Sequence, residues 1–279
     1  MKTLLPGLGC GLGVVLFLFP PLALSQDSPP RSGIVNQRDF EVSRNACGPA
    51  SILNLLKFSR EEYLTIYHKM QTTEDGARIG MLINQYFRDR KSVVKPGQNR
   101  WGVHGIFSED LAAGLNEWLA GSGVPELQSD YLDRIAGETE GEHMRRVHEM
   151  IAKSLRNGVS PILSLRSFVV RTRTPGKPGW ETGLHHNVVV ADVDEKPGAL
   201  GFQVTVLDPA GAREVPVFIH RDGGRLPFRA MRGVDGNGEW LKGFSFLQVM
   251  APEVPALRPK NLEWSERYLV TANFLIGDF

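Results

Sequence analysis

The spacing of apolar residues changes once along the chain, at Asn157-Gly158, and this change restricts the fold more than any other feature. Ahead of it, apolar residues recur at helical intervals. Ile52, Leu53, Leu55, Leu56 and Phe58 predict a helix over 48–58, and Pro49 suits its first turn, where a missing N–H costs nothing. Further helical stretches follow at 60–70, 77–90 and 109–120. Ser108 is the expected N-cap of the last, with Glu109 and Asp110 at its positive end. A fifth stretch, 140–157, carries Met144, Val147, Ile151 and Leu155 on one face. Beyond Gly158 the apolar residues gather into short runs bounded by Gly, Pro or Asp: "SPILSLRSFVVRT" (160–172), "HHNVVVADVD" (185–194), "GFQVTVLD" (201–208) and "GFSFLQVMA" (243–251). These read as strands, "EVPVFIH" (214–220) as strand or loop, and 91–107 and 220–242 as long loops. Helices first and strands second predict an α+β fold, not alternating βαβ units. There is no internal repeat.

The N-terminus reads as a targeting segment. Lys2, the apolar run from Leu4 to Leu24 and the small residues of Ala23-Leu24-Ser25 predict an export signal over 1–25. Four glycines and three prolines within it weaken the alternative of a membrane-spanning helix. "QDSPPRSG" (26–33) reads as a linker, leaving 34–279 as one domain and a secreted or periplasmic location as the expectation. A formal net charge of +1 gives no reason to expect nucleic acid or an anionic membrane as partner, and no further segment is long and apolar enough to insert in a bilayer.

With the signal removed, Cys47 is the only thiol, so no intrachain disulfide forms. A lone cysteine in an oxidising compartment is reactive, paired with another chain, or buried and inert. Its position favours reactivity, because the free N–H groups and the dipole of a helix start both stabilise a thiolate. Gly48, next to it, permits close approach of a substrate. Among seven histidines, His68, His143 and His148 lie on charged helical stretches and read as solvated surface, while His104 and His220 sit in loop-like sequence. His185 and His186 instead open a valine strand. Alternation sends them to opposite faces, His186 with Val188 and Val190, His185 with Asn187 and Val189, so only one faces a given thiol. Asp208 closes the next strand, and a hairpin places it near the start of the histidine strand, whereas Asp192 and Asp194 lie at the far end. Spacing alone leaves two readings open: a nucleophile, base and orienting carboxylate, or an inert cysteine beside a histidine that ends a strand.

Metal and nucleotide chemistry find no support. Adjacent rings at His185-His186 point apart, no Cys-x-x-Cys or His-x-x-x-His spacing occurs, and "EGEH" (140–143) reads as a solvated helix start. "GLGCGLG" lies inside the export segment and follows no strand. No cofactor is expected.

"NACGPASILNLLKF" (45–58) resembles the CGPA-type nucleophile segment of bacterial papain-like cysteine peptidases, particularly the family related to the double-glycine leader peptidases of bacteriocin exporters. "MIAKSLRNGVSPILSL" (150–165), "HHNVVVADVD" and "FQVTVLDPAG" are similar, in the same order, to that family's lead-in to the sheet, its histidine strand and its strand ending in Asp-Pro. These pieces span 45–211 with gaps, and 59–149 carries no such likeness. The resemblance implies a papain-like fold, with a helical half followed by an antiparallel sheet. It also implies Cys47 as nucleophile, His186 as base with His185 as the alternative, and Asp208 as the orienting group. The family's oxyanion glutamine lies upstream of the cysteine. Gln37 is the nearest match, ten residues before Cys47, which is farther than the family spacing, and position 41 holds glutamate. Asn45 or backbone N–H groups are alternative donors. The second cysteine and the aromatic of the papain-type local pattern are absent. The implied activity is cleavage of a peptide or amide bond in a peptide or protein substrate through an acyl-enzyme. Transfer to an amine or thiol, as in phytochelatin synthases, and a binding module that retains the cleft are the alternatives.

Overall fold

The computed structural model describes residues 31–41, 45–103, 105–174, 177–221, 246–258 and 268–279, and of 170–181 the backbone alone. The export signal expected over 1–25, linker residues 26–30 and most of the loop expected over 220–242 lie outside the described residues.

Among the described residues, five α-helices occupy the first part of the chain: α1 (Cys47–Phe58), α2 (Glu61–His68), α3 (Asp75–Leu82), α4 (Ser108–Leu119) and α5 (Glu140–Arg156). The helix expected over 77–90 changes character at Ile83, where a π-turn (Ile83–Phe87) takes over and Arg88 N–H bonds back to Ile83 O at 2.7 Å. The widened turn seats Phe87 against α4 at Gly114, where an added Cβ would lie 2.2 Å from the ring. Helix α5 begins with a capping box between Thr139 and Glu142. It stops at Gly158, whose φ of +75° suits a residue without a Cβ and whose carbonyl accepts the Arg60 N–H at 2.7 Å. The change of periodicity seen in the sequence is thus a helix stop bonded to the start of α2.

Seven strands form one antiparallel sheet: β1 (Gln128–Tyr131), β2 (Ile162–Thr174), β3 (Lys177–Val193), β4 (Gly201–Asp208), β5 (Arg213–His220), β6 (Gln248–Met250) and β7 (Tyr268–Gly277). Their order is β1-β7-β2-β3-β4-β5-β6, and β6 also meets β7 through Gln248↔Thr271, so the sheet closes on itself. The α+β layout expected from the sequence, with helices mostly in the N-terminal half, is present. Two strands, β1 and β7, lie where the sequence reading placed none, and "EVPVFIH" is a strand throughout its length.

Both faces of the sheet are covered. On one, α1 to α4 pack with Ile162, Val189, Leu207, Phe274 and Ile276. On the other, Met144, Val147 and Ile151 of α5 pack with Leu163, Leu165, Val188, Val190, Val204 and Val206. Successive valines of β3 therefore enter different cores, as the two-residue period requires. Two histidines read as surface belong to the second layer: His143 Nε2 lies 2.8 Å from Leu132 O, and His148 Nε2 lies 2.7 Å from Asp194 O. Both are buried, because the packed stripe of α5 is wide enough to include its polar borders. His220 ends β5, and only His68 of the three helical histidines is exposed.

Candidate active site

At one end of the sheet β3 outruns β4. The last pair between them is Val189↔Leu207, so His186 has a strand partner only on the β2 side, Leu165. Asp208, the residue after Leu207, and the N-terminus of α1 close in on the open side. His186 Nε2 lies 2.7 Å from Asp208 Oδ1, with the two residues 2% and 0% exposed. The same Asp208 oxygen accepts the Ala210 N–H at 2.9 Å, which fixes the carboxylate in the turn that follows β4. The Cys47 thiol also acts on this imidazole, each favouring the other's charged form, and with Nε2 turned to Asp208 the nitrogen left for the sulfur is Nδ1. Thiol, imidazole and carboxylate thus form one connected chain from α1, β3 and β4.

Cys47 is the first residue of α1 and is half-buried. The first intrahelical bond here is Ala50 N–H to Ala46 O at 3.0 Å, so the N–H groups of Cys47 and Gly48 have no partner within the helix. Gly48 is packed closely: an added Cβ would lie 3.0 Å from Leu111 and 3.5 Å from Asn187 Nδ2.

The charges of the three groups sustain one another. Burial opposes ionisation of the thiol, but the hydrogen bond and positive charge of His186, with N–H groups of Asn187, outweigh it and hold Cys47 below its ordinary value. Burial likewise opposes the imidazolium, yet the hydrogen bonds to Asp208 and Cys47 and their negative charges raise His186 to about 9. Asp208 is pushed up by burial and pulled down further by His186, the Ala210 N–H and the Arg213 charge, ending below the usual carboxylate range. Together these shifts favour a thiolate–imidazolium pair beside an ionised carboxylate.

His185 belongs to a different environment. Its Nε2 lies 3.4 Å from Ser108 Oγ, and burial followed by the charges of Arg166 and His186 presses it down to about 3, so the ring is neutral at neutral pH. The ring beside the thiol is that of His186. Gln37 lies in a 3-10 turn (Gln37–Asp39), and its N–H bonds to Pro209 O at 2.9 Å, which brings it to the Asp208 side of the site. Residues 42–44, between that turn and the nucleophile helix, lie outside the described residues. Asn45 is committed elsewhere, with Nδ2 donating to Val103 O at 2.8 Å.

Four polar residues that the sequence reading gave no part in the site form a network that reaches the sulfur through Asn187. Asn187 Nδ2 lies 3.8 Å from Sγ, its carbonyl accepts from Ser51 Oγ at 3.0 Å, and its Oδ1 accepts from Ser164 Oγ at 2.5 Å. Ser108 is not the cap of α4. It is the first helical residue after Phe107, and its Oγ lies 3.1 Å from Ser164 Oγ. A signal for Asn187 and Ser164 was present: each places a polar side chain within an apolar strand, and they are direct cross-strand partners.

No group of three or more histidine, cysteine or acidic residues suited to a metal occurs among the described residues. Comparison with protein-family models, curated proteins and solved structures returns no match for this chain.

Proposed function

We propose that the chain is an exported, papain-like thiol hydrolase that cleaves a peptide or amide bond. The observation that carries this reading is the meeting of Cys47, His186 and Asp208, with His186 Nε2 2.7 Å from Asp208 Oδ1 and thiol and imidazole each favouring the other's charged form. In this reaction the Cys47 thiolate attacks the carbonyl carbon, forming a C–S bond and a tetrahedral oxyanion. The His186 imidazolium then gives its proton to the departing amine, leaving a thioester. Water attacks the thioester with His186 as base, releasing the acid and restoring the thiol. Asp208 holds the ring so that Nδ1 faces the sulfur and stabilises the imidazolium. For the oxyanion, the N–H groups at the start of α1 are the nearest backbone donors, and Gln37 is assigned the side-chain amide by its tether to Pro209. The layout of a helical layer preceding an antiparallel sheet, with the thiol on the first long helix, supports a papain-like fold.

Incubating the protein with a mixed peptide library and reading products by mass spectrometry tests the assignment. Cleavage by the wild type and none by a folded Cys47→Ala variant is the expected result. Absence of cleavage by the wild type, or equal cleavage by both, would overturn it.

A further inference from the structure

Asn187 presents more groups to α1 than any strand residue needs for packing alone. Its Nδ2 lies 3.8 Å from Sγ of Cys47, while its carbonyl accepts from Ser51 one helical turn further on, at 3.0 Å. The orientation of its amide is set from behind. Oδ1 accepts from Ser164 Oγ at 2.5 Å, Ser164 Oγ lies 3.1 Å from Ser108 Oγ, and Ser108 Oγ lies 3.4 Å from His185 Nε2. Each hydroxyl has one proton to give. With Ser164 donating to Asn187 and Ser108 donating to Ser164, the remaining donor in the series is a neutral His185 carrying its proton on Nε2. Every proton then points along the chain toward the sulfur. A turned amide would bring Oδ1 against a thiolate instead.

We propose that Asn187 is a positioning residue for Cys47, seating the sulfur with its side-chain amide N–H, which the buried Ser164–Ser108–His185 chain holds in orientation. The inference rests on the reading of Cys47 as the nucleophile. Asn187 is 2% exposed, so it acts on the sulfur from the protein side and does not touch substrate. Among the described residues, His186 is the one titratable group whose charge acts on the thiol. The N–H groups of the Asn187 amide therefore join those at the start of α1 as uncharged supports of the thiolate. Their effect is to fix the direction from which sulfur approaches a carbonyl and to keep the thiolate populated when the imidazolium alone does not suffice.

The test is the rate of carbamidomethylation of Cys47 by iodoacetamide against pH, read on the Cys47 peptide, which requires no substrate. Asn187→Leu is expected to slow the reaction roughly tenfold near pH 6 and to move its midpoint up by about one pH unit. Ser164→Ala, which frees the amide to turn, shifts the midpoint in the same direction by less. A folded Asn187→Leu variant with an unchanged midpoint overturns the proposal, even if its melting temperature falls. A low wild-type midpoint in that same experiment leaves the nucleophile reading standing, whereas an ordinary wild-type midpoint overturns both. If Asn187→Leu does not fold, Ser164→Ala decides: an unchanged midpoint there overturns the proposal as well.

Discussion

His186 carries its proton to about 9 because the attractions of Asp208 and Cys47 exceed the cost of burying a cation. The sign of the consequence is fixed. A histidine whose folded pKa lies above its unfolded value of about 6.5 contributes stability that is complete below that value and is lost as pH rises through the folded pKa. Asp208→Asn removes the carboxylate charge while keeping the shape, and burial of the ring is then opposed chiefly by Cys47. Followed by NMR of the His186 ring, the titration midpoint is expected to fall from about 9 to about 6.5 or below. Peptide hydrolysis should fall by roughly a hundredfold or more, with the alkaline limb moving down in pH. The meeting of Cys47, His186 and Asp208 was legible in the sequence: a thiol at a helix start, a histidine opening a strand, and an aspartate closing the next. The choice between His185 and His186 was not legible from alternation, because alternation separates two faces without saying where α1 ends. Asn187 stood out as a polar residue among valines, but nothing in the sequence said that it meets the thiol.

Helices were the most legible elements, since four or five apolar residues at helical spacing specify both an element and its buried face. Helix α1 shows why. Ile52, Leu53, Leu55 and Leu56 are all fully buried, and the helix ends two residues past that run, at Phe58. Leu55→Ala should cost about 2–5 kcal/mol in denaturant unfolding, with Cys47 reactivity per folded molecule little changed, because Leu55 lies two turns from the thiol. Strands were less legible. β7, "YLVTANFLIG", is apolar almost throughout and lies between β1 and β2 with both faces covered, so it lacks the alternation that marks a half-exposed strand. β1 is four residues long, polar and largely exposed, and it exists because Gln128 to Tyr131 pair with β7. The misplaced cap at Ser108 has a similar origin. A serine before an acidic pair fits an N-cap pattern, but a buried partner across the sheet takes the hydroxyl instead.

At the scale of the molecule, the candidate site exists only because layers meet. The thiol comes from the helical layer and the histidine and aspartate from the sheet, with 140 residues of chain between Cys47 and its neighbour Asn187. The sequence reading anticipated that order of layers, because the switch at Gly158 separates the part that supplies the nucleophile from the part that supplies the base. Closure of the sheet through β6 and β7 was beyond it, since the pairing depends on contacts made across the whole sheet. Unfolding separates the site residues, and Cys47 then reverts to a thiol with an ordinary pKa near about 8.5. The most direct measurement is therefore the pH dependence of Cys47 alkylation by iodoacetamide in native protein and in urea, read on the Cys47 peptide. The account predicts a native midpoint well below the unfolded one, and its return toward the unfolded value in His186→Ala. Coincident native and unfolded midpoints, or a native midpoint indifferent to His186→Ala, would contradict it.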